Sequence, residues 1–306
     1  MIPFFSRSEP VFGLDIGHET LKVAVLSVGG SRANIVSLAE IPIPKGAKTQ
    51  KGIKDKDIIA AKIKEAKGLA KPKRITLNSC VSALPESLVF TKVIELPKMT
   101  EKEITKAMPF QISHAFPISQ EEAYFDWSLL GPGPKPDTLE ALVVAAPKAL
   151  VEDFAYVVEK SGSELLTLET KPAALTRLFT KKGMKGGMII VDIGAIITGI
   201  DIIADGNLHL TATVEIGGEQ LKTDPASLST IADEVKNLVK YYVNRLQERT
   251  EFATVALCGG GSNLKGVPET LSKLLKIPVS VGKPAIEIPN YNPTFATAMG
   301  LALRGE

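Results

Sequence analysis

Residues 11–17, Val-Phe-Gly-Leu-Asp-Ile-Gly, and residues 188–194, Met-Ile-Ile-Val-Asp-Ile-Gly, each carry an apolar run into the same Asp-Ile-Gly ending. A short run rich in β-branched residues that stops at a turn-forming glycine reads as a buried strand. Each is followed by two more such runs. After the first come 21–30 (LKVAVLSVGG) and 33–42 (ANIVSLAEIP); after the second come 198–206 (TGIDIIADG) and 208–217 (LHLTATVEIG). Asp205-Gly206 marks a hairpin turn, because both residues tolerate positive φ. A strand-turn-strand unit therefore opens each half of the chain. A unit that occurs only twice is too rare for a solenoid and points to two related lobes.

The rest of the chain alternates strands and helices. Thr100 to Glu103 form a capping box, and Pro109 is expected to end that helix early, leaving it short. Residues 139–146 (LEALVVAA) read as a strand, and Pro147 opens a helix with Leu150, Val151, Phe154, Val157 and Val158 on one face, closed near Gly162. Between them, 131–137 (GPGPKPD) reads as a loop tip. Asp224-Pro225 starts the longest helix, in which Leu228, Ile231, Val235, Leu238 and Tyr242 follow at helical spacing. Residues 255–266 (VALCGGGSNLKG) run a strand into a glycine turn, 268–276 form a helix, 277–282 a strand, and Pro293 starts a last helix.

Composition excludes several classes. The 306 residues are 44% hydrophobic, with 36 basic and 34 acidic side chains, so no global charge advertises nucleic acid or a membrane. Cys80 and Cys258 are isolated, which suits a reducing cytosol and two small core residues. The N-terminal MIPFFSRSEP has too short an apolar run for a secretory signal, so no export is expected. Residues 186–206, the most apolar stretch, contain Asp192 and Asp201 and read as two buried strands, with no direct membrane insertion. Residues 45–74 hold ten lysines and one arginine against Asp55, Asp57 and Glu65. Without interleaved aromatics they read as a solvated loop and helix face. His18, His114 and His209 have no ligand spacing, and the Walker loop and serine-hydrolase elbow are missing from the sequence.

Chemistry concentrates in three glycine turns. The turn Asp15-Ile16-Gly17-His18-Glu19-Thr20, with Lys22 on the following strand, allows close backbone approach to a phosphate. Its copy at Asp192-Ile193-Gly194 gives a second carboxylate, and two carboxylates across a cleft can hold a hydrated Mg2+ between phosphates. Gly259-Gly260-Gly261 ends a strand ahead of a helix. The hydroxyls nearest the two turns are Thr20 and Thr198, while Ile196-Ile197 follow the second turn.

The order of these turns resembles the two phosphate motifs and the adenosine motif of the actin, sugar-kinase and heat-shock chaperone ATPase superfamily. Within it the chain resembles the PilM family of type IV pilus assembly proteins. Residues 92–131 with 139–162 look like that family's extra subdomain, shared with FtsA. Residues 169–179 are similar to the connecting helix before the second phosphate turn, 215–221 to the turn after it, and 292–305 to the closing helix. The resemblance implies an α/β, actin-like fold, that is, a duplicated ribonuclease H-like fold of two lobes. Lobe one is expected at 1–178 with an inserted α+β subdomain at about 84–150, lobe two at 179–290, and a C-terminal helix at 291–306 packing back on lobe one. Only residues 222–229 stand where the family carries the upper part of lobe two, so that part is expected to be truncated and adenine exposed.

The same resemblance implies ATP and Mg2+ in the interlobe cleft. Asp15, Gly17, Thr20, Lys22, Asp192, Gly194, Thr198, Gly217, Gly218, Glu219, Gly259, Gly260 and Gly261 would surround the nucleotide, with Asp15 and Asp192 reaching the metal through water. It implies a cytoplasmic adaptor, peripheral to the inner membrane, that grips the N-terminal peptide of a PilN-like inner-membrane protein, with pilus motor ATPases as further partners. No residue declares itself as a catalytic base, so turnover is expected to be slow or absent. The rival readings are an active ATPase or small-molecule kinase and an FtsA-like filament former.

Overall fold

The computed structural model describes residues 10–246 and 250–305; the N-terminal stretch read against a secretory signal lies, but for Pro10, outside the described residues. In chain order the elements begin with β1 Phe12–Ile16, β2 Thr20–Gly29, β3 Arg32–Pro42, the short pair β4 Lys48–Thr49 and β5 Gly52–Ile53, α1 Lys56–Leu69, β6 Lys71–Pro72 and β7 Ser79–Leu84. Next come β8 Phe90–Pro97, α2 Glu101–Ala115, β9 Ala123–Pro132, β10 Thr138–Pro147, α3 Lys148–Lys160, β11 Glu164–Thr170 and α4 Lys171–Phe179. The chain closes with β12 Gly187–Ile193, β13 Thr198–Ala204, β14 Asn207–Val214, α5 Gly218–Thr223, α6 Leu228–Leu246, β15 Phe252–Cys258, α7 Val267–Leu275, β16 Val279–Val281 and α8 Ala296–Ala302.

These elements form two compact units. The first comprises residues 1–84, 153–181 and 283–306. Its sheet runs β11-β7-β1-β2-β3-β6, with β1, β2 and β3 antiparallel and β7 and β11 parallel to β1. Helix α8 packs on this sheet through its small residues, and an added Cβ on Gly13 would lie 1.9 Å from the Ala298 carbonyl oxygen. The second unit comprises residues 85–152 and 182–282. Its larger sheet runs β14-β13-β12-β15-β16, again three antiparallel strands followed by two parallel to the first. A meander with parallel strands added beside its first strand, occurring twice, is the duplicated ribonuclease H-like plan of the actin-like fold. The amphipathic α6 and α7 bury Leu228, Ile231, Val235 and Leu271 against β12, β13 and β15.

Residues 85–152 group with the second unit. Their sheet, β8-β10-β9, is covered by α2, whose Ile104, Met108 and Ile112 pack on Ile94, Leu96 and Val143. The capping box at Thr100 and Glu103 forms, but Pro109 lies inside a helix that continues to Ala115. Burial of Ile112 beyond the proline outweighs the single lost backbone donor, and the Pro109 carbonyl accepts from the Gln120 side chain. Two further expectations shift at their edges. Pro147 ends β10, so α3 starts at Lys148, and Gly131-Pro132 belong to β9, which shortens the loop tip. Asp224 leads a 3-10 turn before α6, and only α5 and that turn separate β14 from α6. Among the described residues no helix is long and apolar enough to cross a membrane.

Candidate functional site

The two Asp-Ile-Gly turns have the same geometry. In the first unit the Gly17 N–H donates to the Thr20 carbonyl at 2.9 Å; in the second the Gly194 N–H donates to the Ile197 carbonyl at 3.0 Å. An added Cβ would meet that carbonyl oxygen at 2.7 Å in both, so glycine is required at each. In register Asp15 pairs with Lys22, and Asp192 pairs with Gly199. The equivalent position is thus a cation in one unit and has no side chain in the other.

Around the first turn the chain gathers lysines. The Asp15 carboxylate is buried and forms an ion pair with Lys171, the first residue of α4, at 3.1 Å. Lys22 donates to the Thr20 hydroxyl at 2.6 Å and pairs with Glu40 at 3.3 Å. Lys48 reaches in from the β4–β5 pair and donates to the Ile16 carbonyl at 2.6 Å. Burial alone would raise the Asp15 pKa, but the charges of Lys171, Lys22 and Lys48 hold it below the usual carboxylate value. The Lys48 ammonium is pushed down to about 7, first by burial and then by Lys171, against the pull of Asp15. Burial, then Lys48 and Lys171, lower His18 to about 4, leaving its ring neutral at physiological pH.

Neither Lys48 nor Lys171 was among the residues expected here. The solvated reading of residues 45–74 fails at Lys48, which is buried. A hydrated Mg2+ at Asp15 also fits this charge balance poorly. The carboxylate is already compensated by Lys171, and Lys22 and the partly protonated Lys48 act on it as well, so a dication would meet net repulsion. Among the described residues no group of three or more His, Cys, Asp and Glu is placed to hold a metal.

In the second unit the remaining glycine turns converge on Asp192. An added Cβ on Gly259, which has φ +78°, would lie 2.4 Å from Asp192 Oδ1, and one on Gly261 would lie 2.2 Å from Ile193 Cγ2. Gly217 abuts Ala195, the Gly218 N–H donates to the Gly194 carbonyl at 2.8 Å, and the Glu219 N–H donates to the Ala195 carbonyl at 3.0 Å. Gly260 is exposed, with open space beside it. The Cys258 thiol lies 3.8 Å from Asp192 Oδ1. Thr198 is fully buried, and its hydroxyl donates to the Ile216 carbonyl at 2.6 Å, which takes it out of the set expected to contact phosphate.

The polar environment in this unit is acidic. Asp201 lies diagonal to Asp192 on the same sheet face, and Glu86 brings a carboxylate oxygen to where a Gly199 Cβ would stand. Thr211 donates to Asp201 at 2.9 Å and contacts Glu86. Burial pushes the Asp201 pKa up to about 8; Thr211 opposes the shift and Asp192 adds to it. The folded pKa is therefore above the unfolded one. The resulting stability is fully present below the ordinary carboxylate value and is lost as pH rises towards about 8. Asp201→Asn mimics the protonated acid, so thermal melts of the variant should gain on the wild type over that window, by roughly 1–3 kcal/mol at its top. A difference that did not change with pH would show that Asp201 is ionised.

Residues 13–228 match the family model of the type IV pilus assembly protein PilM, and residues 189–300 match that of the cell division protein FtsA. Among solved structures, one described as a PilM-PilN type IV pilus biogenesis complex superposes with TM-score 0.81 at 22% identity, covering 98% of this chain and 99% of that one. The ethanolamine utilization protein EutJ of Carboxydothermus hydrogenoformans gives 0.57 at 18%, covering 96% and 91%. The cytoplasmic domain of EpsL, an inner-membrane component of the type II secretion system of Vibrio cholerae, gives 0.52 at 11%, covering 96% and 93%. At these identities the likeness establishes the fold.

Proposed function

The chain belongs to the PilM family of type IV pilus assembly proteins, and on that premise we propose that it is an adaptor holding the cytoplasmic N-terminal peptide of a PilN-like inner-membrane protein. The peptide lies beside the inserted segment, and the protein reaches the cytoplasmic face of the membrane through that partner. The family match over residues 13–228, which spans the whole insertion, carries this reading. The surface of the insertion agrees with it: Phe90, Phe110, Tyr124 and Leu129 are exposed there, four of the nine large hydrophobics exposed among the described residues.

A nucleotide is the second ligand of this reading, its phosphate end met in the first unit at the turn that carries Thr20 and Lys22 beside Asp15 and Gly17. Its effect is to bias peptide affinity, a binding linkage that needs no turnover. Fluorescence anisotropy of a labelled peptide, made to the N-terminal segment of the PilN-like protein of the same organism, tests both statements. Saturable binding that a scrambled peptide does not reproduce is expected, and saturating ATP should shift its affinity. No binding would remove the adaptor reading; binding indifferent to ATP would remove only the linkage.

A further inference from the structure

We propose that the first turn is an anion site whose positive charge comes from the chain itself: Lys22, Lys48 and Lys171 accept a phosphoanhydride group without a divalent cation. The inference rests on the reading of that turn as a phosphate site and alters what neutralises the phosphate. Two ammonium groups, Lys171 and Lys22, and the partly protonated Lys48 act on one buried carboxylate, Asp15. The one other acid paired in this set, Glu40, is 37% exposed and lies on the outer side of Lys22. The cluster therefore has positive charge to spare at a site with little water.

Access is graded. The side chains of Lys171 and Lys22 are 22% and 12% exposed, whereas Lys48 is 7% exposed and fixed by its bond to the Ile16 carbonyl. The two outer ammoniums can meet a ligand, and an anion bound there draws Lys48 behind them into its protonated form. The backbone contributes less, because the Gly17 N–H already donates to Thr20. Ammonium donors to phosphoryl oxygen give short, charge-assisted bonds, stronger where water is scarce. A dication bridging Asp15 to phosphate would sit among like charges, beside the Lys171 ammonium that already pairs with Asp15 Oδ1.

The test is calorimetric titration of the metal-stripped full chain with inorganic pyrophosphate, and separately with ADP, in EDTA and in excess MgCl2. Pyrophosphate should bind in EDTA and more weakly in excess MgCl2, which ties up the free anion as its magnesium complex, and Lys171→Met should weaken the binding in EDTA about tenfold or more. If Lys171→Met does not fold, Lys22→Met gives the same reading, since both groups reach the ligand. ADP binding tighter than pyrophosphate assigns the site to nucleotide, and equal binding assigns it to the phosphoanhydride alone; either supports the proposal. Binding only with Mg2+, no binding of pyrophosphate, or wild-type affinity in the lysine variants overturns it. The PilN-derived peptide titrated into the same preparation separates the two readings, because peptide binding without pyrophosphate binding sinks this inference and leaves the adaptor standing.

Discussion

Gly13→Ala is expected to lower stability by about 3 kcal/mol or more, with the melting temperature falling on the order of 10 °C. The added methyl would lie 1.9 Å from the Ala298 carbonyl oxygen and 2.8 Å from the Ala302 amide nitrogen, both backbone atoms of α8 that cannot turn aside. Helix α8 is held from its other side as well, since a Cβ on Gly300 would lie 2.2 Å from the Ala174 carbonyl oxygen in α4. The helix is clamped between β1 and α4, so relief at one face creates a clash at the other. Gly29→Ala is the control, because nothing lies within 4 Å of its added methyl. Equal melting temperatures for the two variants would show that the α8 contact is looser than described.

Arg177→Ala should cost about 3 kcal/mol in urea unfolding, within the range for breaking a buried ion pair. Both oxygens of Glu169 accept from Arg177 at 2.7 Å, and the same guanidinium donates to the Gly300 carbonyl at 2.7 Å. Glu169 is buried, and Arg304, which reaches it at 2.6 Å, is the more exposed partner. Removing Arg304 leaves the bidentate pair intact, so Arg304→Ala should cost about 1 kcal/mol or less. Equal losses in the two variants would mean that the bidentate geometry contributes nothing beyond charge.

The halves of the fold were legible because each begins with an apolar strand whose glycine cannot be replaced. The apolar runs, the Asp205-Gly206 turn and the repeated Asp-Ile-Gly ending predict both meanders, and Asp205 and Gly206 do take positive φ, +49° and +79°. The grouping of Gly194, Gly217, Gly218, Gly259 and Gly261 was implied by the family resemblance, and the close backbone contacts there explain why glycine stands at each. Helix α2 was underestimated because a proline rule is local, whereas the packing of Ile112 is not.

The charge of the site was not legible, for a different reason. A lysine bears no mark of burial in its own sequence, and the lysines nearest Lys48, namely Lys45, Lys51 and Lys54, are all exposed. Lys48 reaches the first turn only because β4 and β5 form a hairpin 32 residues along the chain from Ile16. Lys171 is hidden in the same way by the helix that it begins. Thr198 was misread because a hydroxyl beside a turn has the same letter whether it faces a ligand or a carbonyl. Glu86, far from Asp201 in sequence, meets it through Thr211 on the neighbouring strand. His209, judged isolated by spacing, lies 3.7 Å from Glu140.

Hydrogen–deuterium exchange of the full chain, with and without the PilN-derived peptide, tests the adaptor reading most directly. The account predicts slowed exchange concentrated in residues 85–147, beside the exposed aromatics of the insertion, and little change in α6 and α7. Protection confined to α6 and α7, or none anywhere at saturating peptide, would contradict it.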